Sequence, residues 1–383
     1  MTDIPPPPAA TSPKRVRTPF RIFLPFVGIG AVFVLYSVYW FIAADKLRDG
    51  IENFSTRDNP SDINVDWSAL SVGGFPYRIA ATFTGPLANA PNAPENWAWS
   101  APSLEADFMP YNLRHVVLKI DGEQQLNYSD VRGRNPLRHL IRAQAAGTWV
   151  SYVDEPDEPF GRLAIDIDKF TGLRDGIADD DLVNGISGER LSADRLQLHL
   201  RPADDDGLPR SARSTNDTST SYDIALQGDN MRVNATGPAD VLGRDIALIS
   251  VQARLRDLPR RSTVSLVKLS RDWLQQGGRL TVSDLTVKWG PLDLWAQGNV
   301  TLDEDARPKG NFDAEITNYE GLLEALVKAG IVRKQDAKLA LMGLGLVSQL
   351  QGKTDGRIAV PITMNQGKLY LGPLYVARLD PVY

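Results

Sequence analysis

Twenty-three consecutive residues, Ile22 to Ala44, read IFLPFVGIGAVFVLYSVYWFIAA and hold no charged side chain. A helix of that length rises roughly 35 Å, enough to cross a hydrocarbon core of about 30 Å. No polar face interrupts the run, which argues against an amphipathic core helix. Lys14, Arg15, Arg17 and Arg21 precede it; Asp45, Lys46, Arg48 and Asp49 follow. The stronger basic excess on the N-terminal side predicts a cytoplasmic N-terminus and an exported body. Tyr36, Tyr39 and Trp40 gather near the outer end, where amphipathic rings favour the headgroup layer. The rival reading is a signal peptide cleaved after Ala44. Its usual apolar core of about 7–15 residues is shorter than this run.

With no cysteine in 383 residues, disulfides, thiolate metal sites and cysteine nucleophiles are excluded. The exported part must be held by its own core, and it is long enough to build one. Residues 1–44 carry four basic side chains and Asp3, a net of +3. The whole chain carries −5, so the remainder is −8. No basic patch stands out there, and nucleic acid is not an expected partner.

Taken in order, residues 1–21 (PPPPAATSPKR within them) read as a disordered cytoplasmic tail, and 22–44 as the membrane anchor. Residues 45–61, with Leu47, Ile51 and Phe54 at helical spacing, predict a juxtamembrane helix that stops by Pro60. From Ile63 the period becomes two. Val116, Leu118 and Ile120 alternate with polar neighbours, as in a strand with one dry face. Residues 62–200 form a first β-rich half, with further strands at Ala146–Val153, Gly161–Asp168 and Ser192–Leu200 and a short helix at Arg174–Ile186. Residues 201–221 lose nearly all apolar character and read as a loop or linker. Residues 222–383 form a second β-rich half. Its strands begin at Tyr222–Gln227, Met231–Thr236 and Ile246–Leu255, and a helix at Thr263–Gln276 is closed by Gly277-Gly278. Leu280 and Val282 share one parity while Leu285, Val287 and Trp289 share the other, which places a bulge or tight turn at Ser283-Asp284. Asn318 is placed to cap a helix from Tyr319 to Ala329, and a second helix is expected near Lys334–Leu350. Paired strands close the chain.

Signals for catalysis are poor. His115, His139 and His199 match no metal spacing, and neither a nucleophile elbow nor a phosphate loop occurs. Acidic runs at Asp154–Glu158, Asp179–Asp181 and Asp204–Asp206 lack calcium-loop spacing and read as solvated loops. No catalytic, metal or cofactor residue is assigned. Trp97, Trp99, Trp289 and Trp295 sit on strands among Leu, Val and Phe. They are core residues of a closed sheet or, on a long curved one, part of an apolar groove.

From about Trp273 the order DWLQQGGRLTVSDLTVKWGPLDLWAQGNVTLDEDARPKG, NYEGLLEALVKAG and NQGKLYLGPLYVARL resembles a bacterial envelope family catalogued as domain of unknown function 2125. VGGFPYRI and SAPSLEADFMPYNLRHV resemble its earlier blocks. The resemblance implies an N-terminal membrane segment and a β-rich extracytoplasmic body, and it transfers no catalytic residue. A looser likeness of style points to AsmA-like envelope proteins, which are linked to lipid movement; this is an analogy of architecture. The expectation is mainly β with some α: one transmembrane helix, then an antiparallel β-rich body with a few packing helices, in the periplasm. Its expected role is non-enzymatic, binding lipid or acting as a scaffold in envelope maintenance. The alternatives are an envelope hydrolase or glycan-processing enzyme, and a purely structural partner of another envelope protein.

Overall fold

The computed structural model describes residues 24–56, 63–130, 137–177, 189–203, 219–234, 238–260, 266–338, 341 and 357–382. The predicted tail 1–21, residues 57–61 of the juxtamembrane segment and most of the expected helix 334–350 lie outside them. So do residues 178–186 and 204–218. Helix α1 (Leu24–Thr56) runs unbroken for 33 residues, joining the uncharged stretch and the segment after it into one element.

Among the described residues there is one antiparallel sheet of 20 strands. Ten of them are five long strands, each broken at a two-residue corner. These are β1 (Asn64–Asp66) with β2 (Ala69–Gly73), β3 (Ile79–Thr84) with β4 (Leu87–Ala90), β5 (Trp97–Ser100) with β6 (Ser103–Met109), β7 (Asn112–Asp121) with β8 (Gln124–Asp130), and β9 (Leu137–Gln144) with β10 (Gly147–Val153). Long strands follow: β11 (Arg162–Ile177), β12 (Glu189–Pro202), β13 (Ser219–Asn234) and β14 (Asp245–Pro259). After them come β15 (Arg279–Trp289), β16 (Leu292–Leu302), β17 (Pro308–Thr317), β18 (Arg357–Asn365), β19 (Lys368–Leu371) and β20 (Leu374–Arg378). Short helices α2 (Pro238–Leu242), α3 (Leu266–Gln275) and α4 (Tyr319–Lys328) fill connections.

The ladder is a meander in which each long strand pairs with its neighbours in sequence. One edge of β11 bonds β12; the other bonds β10 up to Asp168 and β9 from Thr171. The corner therefore continues through the long strands. It falls at Lys169 (φ 51) in β11, at Asp194 in β12, at Asn230 (φ 46) in β13 and at Ala247 in β14, where the register shifts. Left-handed backbone at a non-glycine residue has to be held by its surroundings. Here Lys169 Nζ donates to Asp194 Oδ1 at 2.8 Å and Asn230 Nδ2 to Asp194 Oδ2 at 2.9 Å. Hydrogen bonds from Lys169 and Asn230 lower the Asp194 pKa.

Several expectations change. Residues 174–177 are strand, not helix. Arg174 pairs with Ile141 on one side and Glu189 on the other, and a two-sided ladder overrides local preference. Tyr222–Gln227 and Met231–Thr236 merge into β13, with the corner at Asn230 between them, as far as Asn234. β12 and β13 pair with Pro202 opposite Tyr222, and residues 204–218 of the expected loop or linker lie outside the described residues. Asn318 makes no side-chain cap bond; it is left-handed (φ 57), and its carbonyl accepts from Leu322 N at 3.3 Å. The slip at Ser283-Asp284 is present as a register shift between Val282 and Leu285. Gly277 is left-handed (φ 75) behind α3.

The two ends of the sheet are packed by helices. Trp40, Ala43 and Ala44 of α1 are buried with Ile79, beside Leu47, Val72 and Phe108. At the far end Leu322, Leu323 and Leu326 of α4 pack on Ile316, Ile358 and Val360. Close approach of β16 and β17 needs a bare backbone at Gly310, where a Cβ would meet Asn299 O at 2.1 Å and Val300 Cα at 2.9 Å. Gly310→Ala is expected to cost about 1–3 kcal/mol, read as a lower melting temperature. Gly73→Ala, which faces open space, should stay within about 0.5 kcal/mol.

Candidate functional site

Side chains of directly opposed residues share a face, so the register can be read across the whole sheet. One row runs Val72, Ala81, Ala106, Leu118, Val150, Ile165, Leu198, Leu226, Val251, Leu285, Ala296, Ala314, Val360. Every member is apolar. At a strand spacing of about 4.8 Å the row is roughly 60 Å long. The row one residue away runs Ser71, Thr82, Glu105, Lys119, Trp149, Asp166, Gln197, Gln227, Ser250, Thr286, Trp295, Glu315, Ala359. The sheet thus has one dry face and one wet face from end to end.

Burial along the dry row is uneven. Ala81 and Ala106 are buried toward one end; toward the other, Ala296 and Ala314 are buried with Ala253, Val282 and Phe312, and Val360 with the leucines of α4. Between them, Leu118 to Leu285 are only half-buried, and Leu226 is 42 % exposed. Helix α3 meets the sheet beside this stretch at β14, where Trp273 Nε1 donates to Arg256 O at 2.7 Å.

The corner folds the sheet toward its dry face. Trp99 Nε1 donates to Gln124 Oε1 at 3.3 Å, and Gln124 Nε2 donates to Thr148 Oγ1 at 3.3 Å, joining side chains from both sides of the break. The curl also brings the connection after β4 against the start of α3, where Val267 N donates to Glu95 Oε1 at 3.1 Å. The result is a trough with an apolar cavity at each end. One, about 550 Å³, lies between Leu47, Ile51 and Phe54 of α1 and the strand residues Trp67, Phe83, Trp99 and Leu104. The other, about 390 Å³, lies between Leu322 and Leu326 of α4 and Leu294, Ile316 and Leu369 of the sheet.

The four tryptophans divide. Trp99 lines the first cavity, and Trp97 has the same parity on β5. Trp289 packs beside Met231 and Ile246 on the dry face, its Nε1 donating to Gly243 O at 2.7 Å. Trp295 belongs to the wet row and donates to Asp284 Oδ2 at 2.9 Å. Parity held the signal for this: Trp295 is out of phase with Leu292, Leu294 and Ala296. The half-buried leucines and isoleucines of β11–β14 were not singled out from sequence, because alternation looks the same in a closed core and an open face.

A polar cleft of about 740 Å³ lies over the middle strands, with Arg162, His199, Arg201, Asp223, Gln252 and Arg254 among its lining. Asp223 bridges Arg254 at 2.7 Å and Arg201 at 3.3 Å. Burial pushes its pKa up, but the bonds and charges of Arg254 and Arg201 outweigh this and hold it below the usual value. A general base is poised nearer neutrality; this carboxylate is driven away from it. His115 Nε2 lies 3.0 Å from Ser151 Oγ at the cleft's edge. Among the described residues no group of three or more His, Asp or Glu could hold a metal ion.

The sequence model of a bacterial family, DUF2125, described as an uncharacterized protein conserved in bacteria, matches residues 40–380. No curated protein and no solved structure matches the chain.

Proposed function

This chain belongs to the DUF2125 family, and we propose that it is a membrane-anchored, extracytoplasmic protein whose trough holds the hydrocarbon chains of lipids. The observation that carries this reading is the continuous apolar row that is buried at both ends and only half-buried from Leu118 to Leu285 between them. A water-soluble sheet ordinarily covers such a face, and an exposed apolar surface of this extent marks a binding site. Apolar ligands need no directional partner, which suits a trough with few polar groups.

Anchoring is supported by α1, whose Leu24–Phe54 segment is long and apolar enough to cross a membrane. Cleavage after Ala44 would remove Trp40, Ala43 and Ala44 and uncover Ile79. The family match begins at residue 40, inside the helix. This packing supports retention of the helix, and the basic N-terminus supports a body that faces outward, into the periplasm. The hydrolase reading finds less support, since Asp223 is tuned as an ion-pair partner.

The test is native mass spectrometry on the full chain, purified from its own membranes and washed with delipidating detergent. A 42.1 kDa polypeptide retaining phospholipid at fixed stoichiometry is expected. A folded chain that keeps no lipid would overturn lipid binding and turn attention to a protein segment as the trough's occupant.

A further inference from the structure

We propose that the edge of the sheet where α1 leaves it is a second, separate membrane contact: a rim that seats in the headgroup layer of the bilayer. The inference rests on α1 crossing that membrane. Two connections meet the C-terminal part of the uncharged run. Tyr36 Oη donates to Pro76 O, Tyr39 Oη to Pro110 O at 2.6 Å, and Trp40 Nε1 to Arg78 O at 3.0 Å. The Phe75 ring packs against Phe33, Trp40 and Phe41, with centroids 5.4–6.0 Å away. These contacts fix residues 74–78 and 110–111 as a collar along α1 from Phe33 to Phe41, a little over two turns.

Large side chains of the collar and the strand ends beside it keep exposed surface. Tyr77 and Tyr111 are each 85 % exposed, and Leu113, Phe75 and Met109 are 47 %, 38 % and 37 % exposed. Tyrosine, with an apolar body and a polar tip, is the residue type that favours a membrane interface. Height agrees with this placement. From Leu24 to Phe41 the helix rises roughly 27 Å, close to a hydrocarbon core of about 30 Å. The bonds of Tyr39 and Trp40 therefore hold the rim close to where the bilayer ends, with the Phe75 ring reaching inward toward Phe33. Held there at the helix and at the loops, the body has a fixed orientation, and the first cavity, lined by Leu47, Ile51 and Phe54 of the same helix, opens close to the lipid.

The chain has no cysteine, so single-cysteine variants carry one fluorophore each. Tyr77→Cys, Tyr111→Cys, Gly28→Cys and Asn234→Cys would be labelled and the full chain placed in vesicles of phosphatidylethanolamine and phosphatidylglycerol. Quenching is then read from a shallow nitroxide-bearing lipid and from aqueous iodide. Labels at 77 and 111 should be quenched by the lipid and shielded from iodide. The label at 234, at the opposite end of the strands, should behave the reverse way. Labels at 77 and 111 as open to iodide as the one at 234 would overturn the rim. Shielding from both quenchers would also overturn it, in favour of a protein partner. Gly28 reports the anchor by itself. Lipid quenching there with iodide-exposed 77 and 111 removes the rim alone, and its absence removes the anchor as well.

Discussion

Leu226→Arg is expected to strip most of the phospholipid from the purified chain while moving its melting temperature by no more than a few degrees. The side chain stands mid-trough between Leu198 and Val251 in register and is 42 % exposed. A guanidinium placed there keeps access to water in the empty trough, so the fold loses little. A hydrocarbon chain lying over it would desolvate the charge without pairing it, which costs several kcal/mol. Gln297→Arg is the control: it lies on the wet face opposite Asp313, is exposed, and should leave the lipid in place. Native mass spectrometry and a thermal melt on both variants decide the matter. Equal lipid in the two would mean that it is held somewhere other than the trough.

Trp40→Ala should cost about 3–5 kcal/mol, the range for removing a buried large aromatic. The indole is 3 % exposed, packs edge-on to Phe75 at 5.4 Å, and donates to Arg78 O. Trp40→Phe keeps much of the ring contact and loses the hydrogen bond, so a smaller loss of roughly 1–2 kcal/mol is expected. The pair separates burial from bonding. A thermal melt together with limited proteolysis near Ala44 would read both. A cost below about 1 kcal/mol for the alanine variant would mean that the helix only tethers the body.

Much of this was legible in the residues. The parity switch between Val282 and Leu285 located a bulge, and the uncharged run located α1. The corner was not legible. It is made of Gly85-Pro86 and Gly122 in some strands but of Lys169, Asp194 and Asn230 in others, and no single turn chemistry repeats. That is also why β13 looked like two strands and why residues 174–177 looked helical: their pairing partners lie far away in sequence on one side. The candidate site was half legible. Trp97, Trp99 and Trp289 are on the dry face and Trp295 is not, as its phase could have indicated. Whether the dry face is closed depends on which helices lie over it, and a period of two is silent on that.

The meander has a consequence for assembly. Each long strand pairs with the one before it, so contacts stay comparatively local for so large a sheet, and loop-closure cost is met in small steps. A chain that becomes available to fold in order from α1 presents α1 and β2 to β3 at once, and each arriving hairpin closes the edge left by the last. The growing edge stays open to mispairing until it comes to rest at β20, while among the described residues β1 and β2 each have a strand partner on one side. The same architecture can lengthen or shorten by one hairpin without repacking the rest, so the length of the trough is set by the number of hairpins.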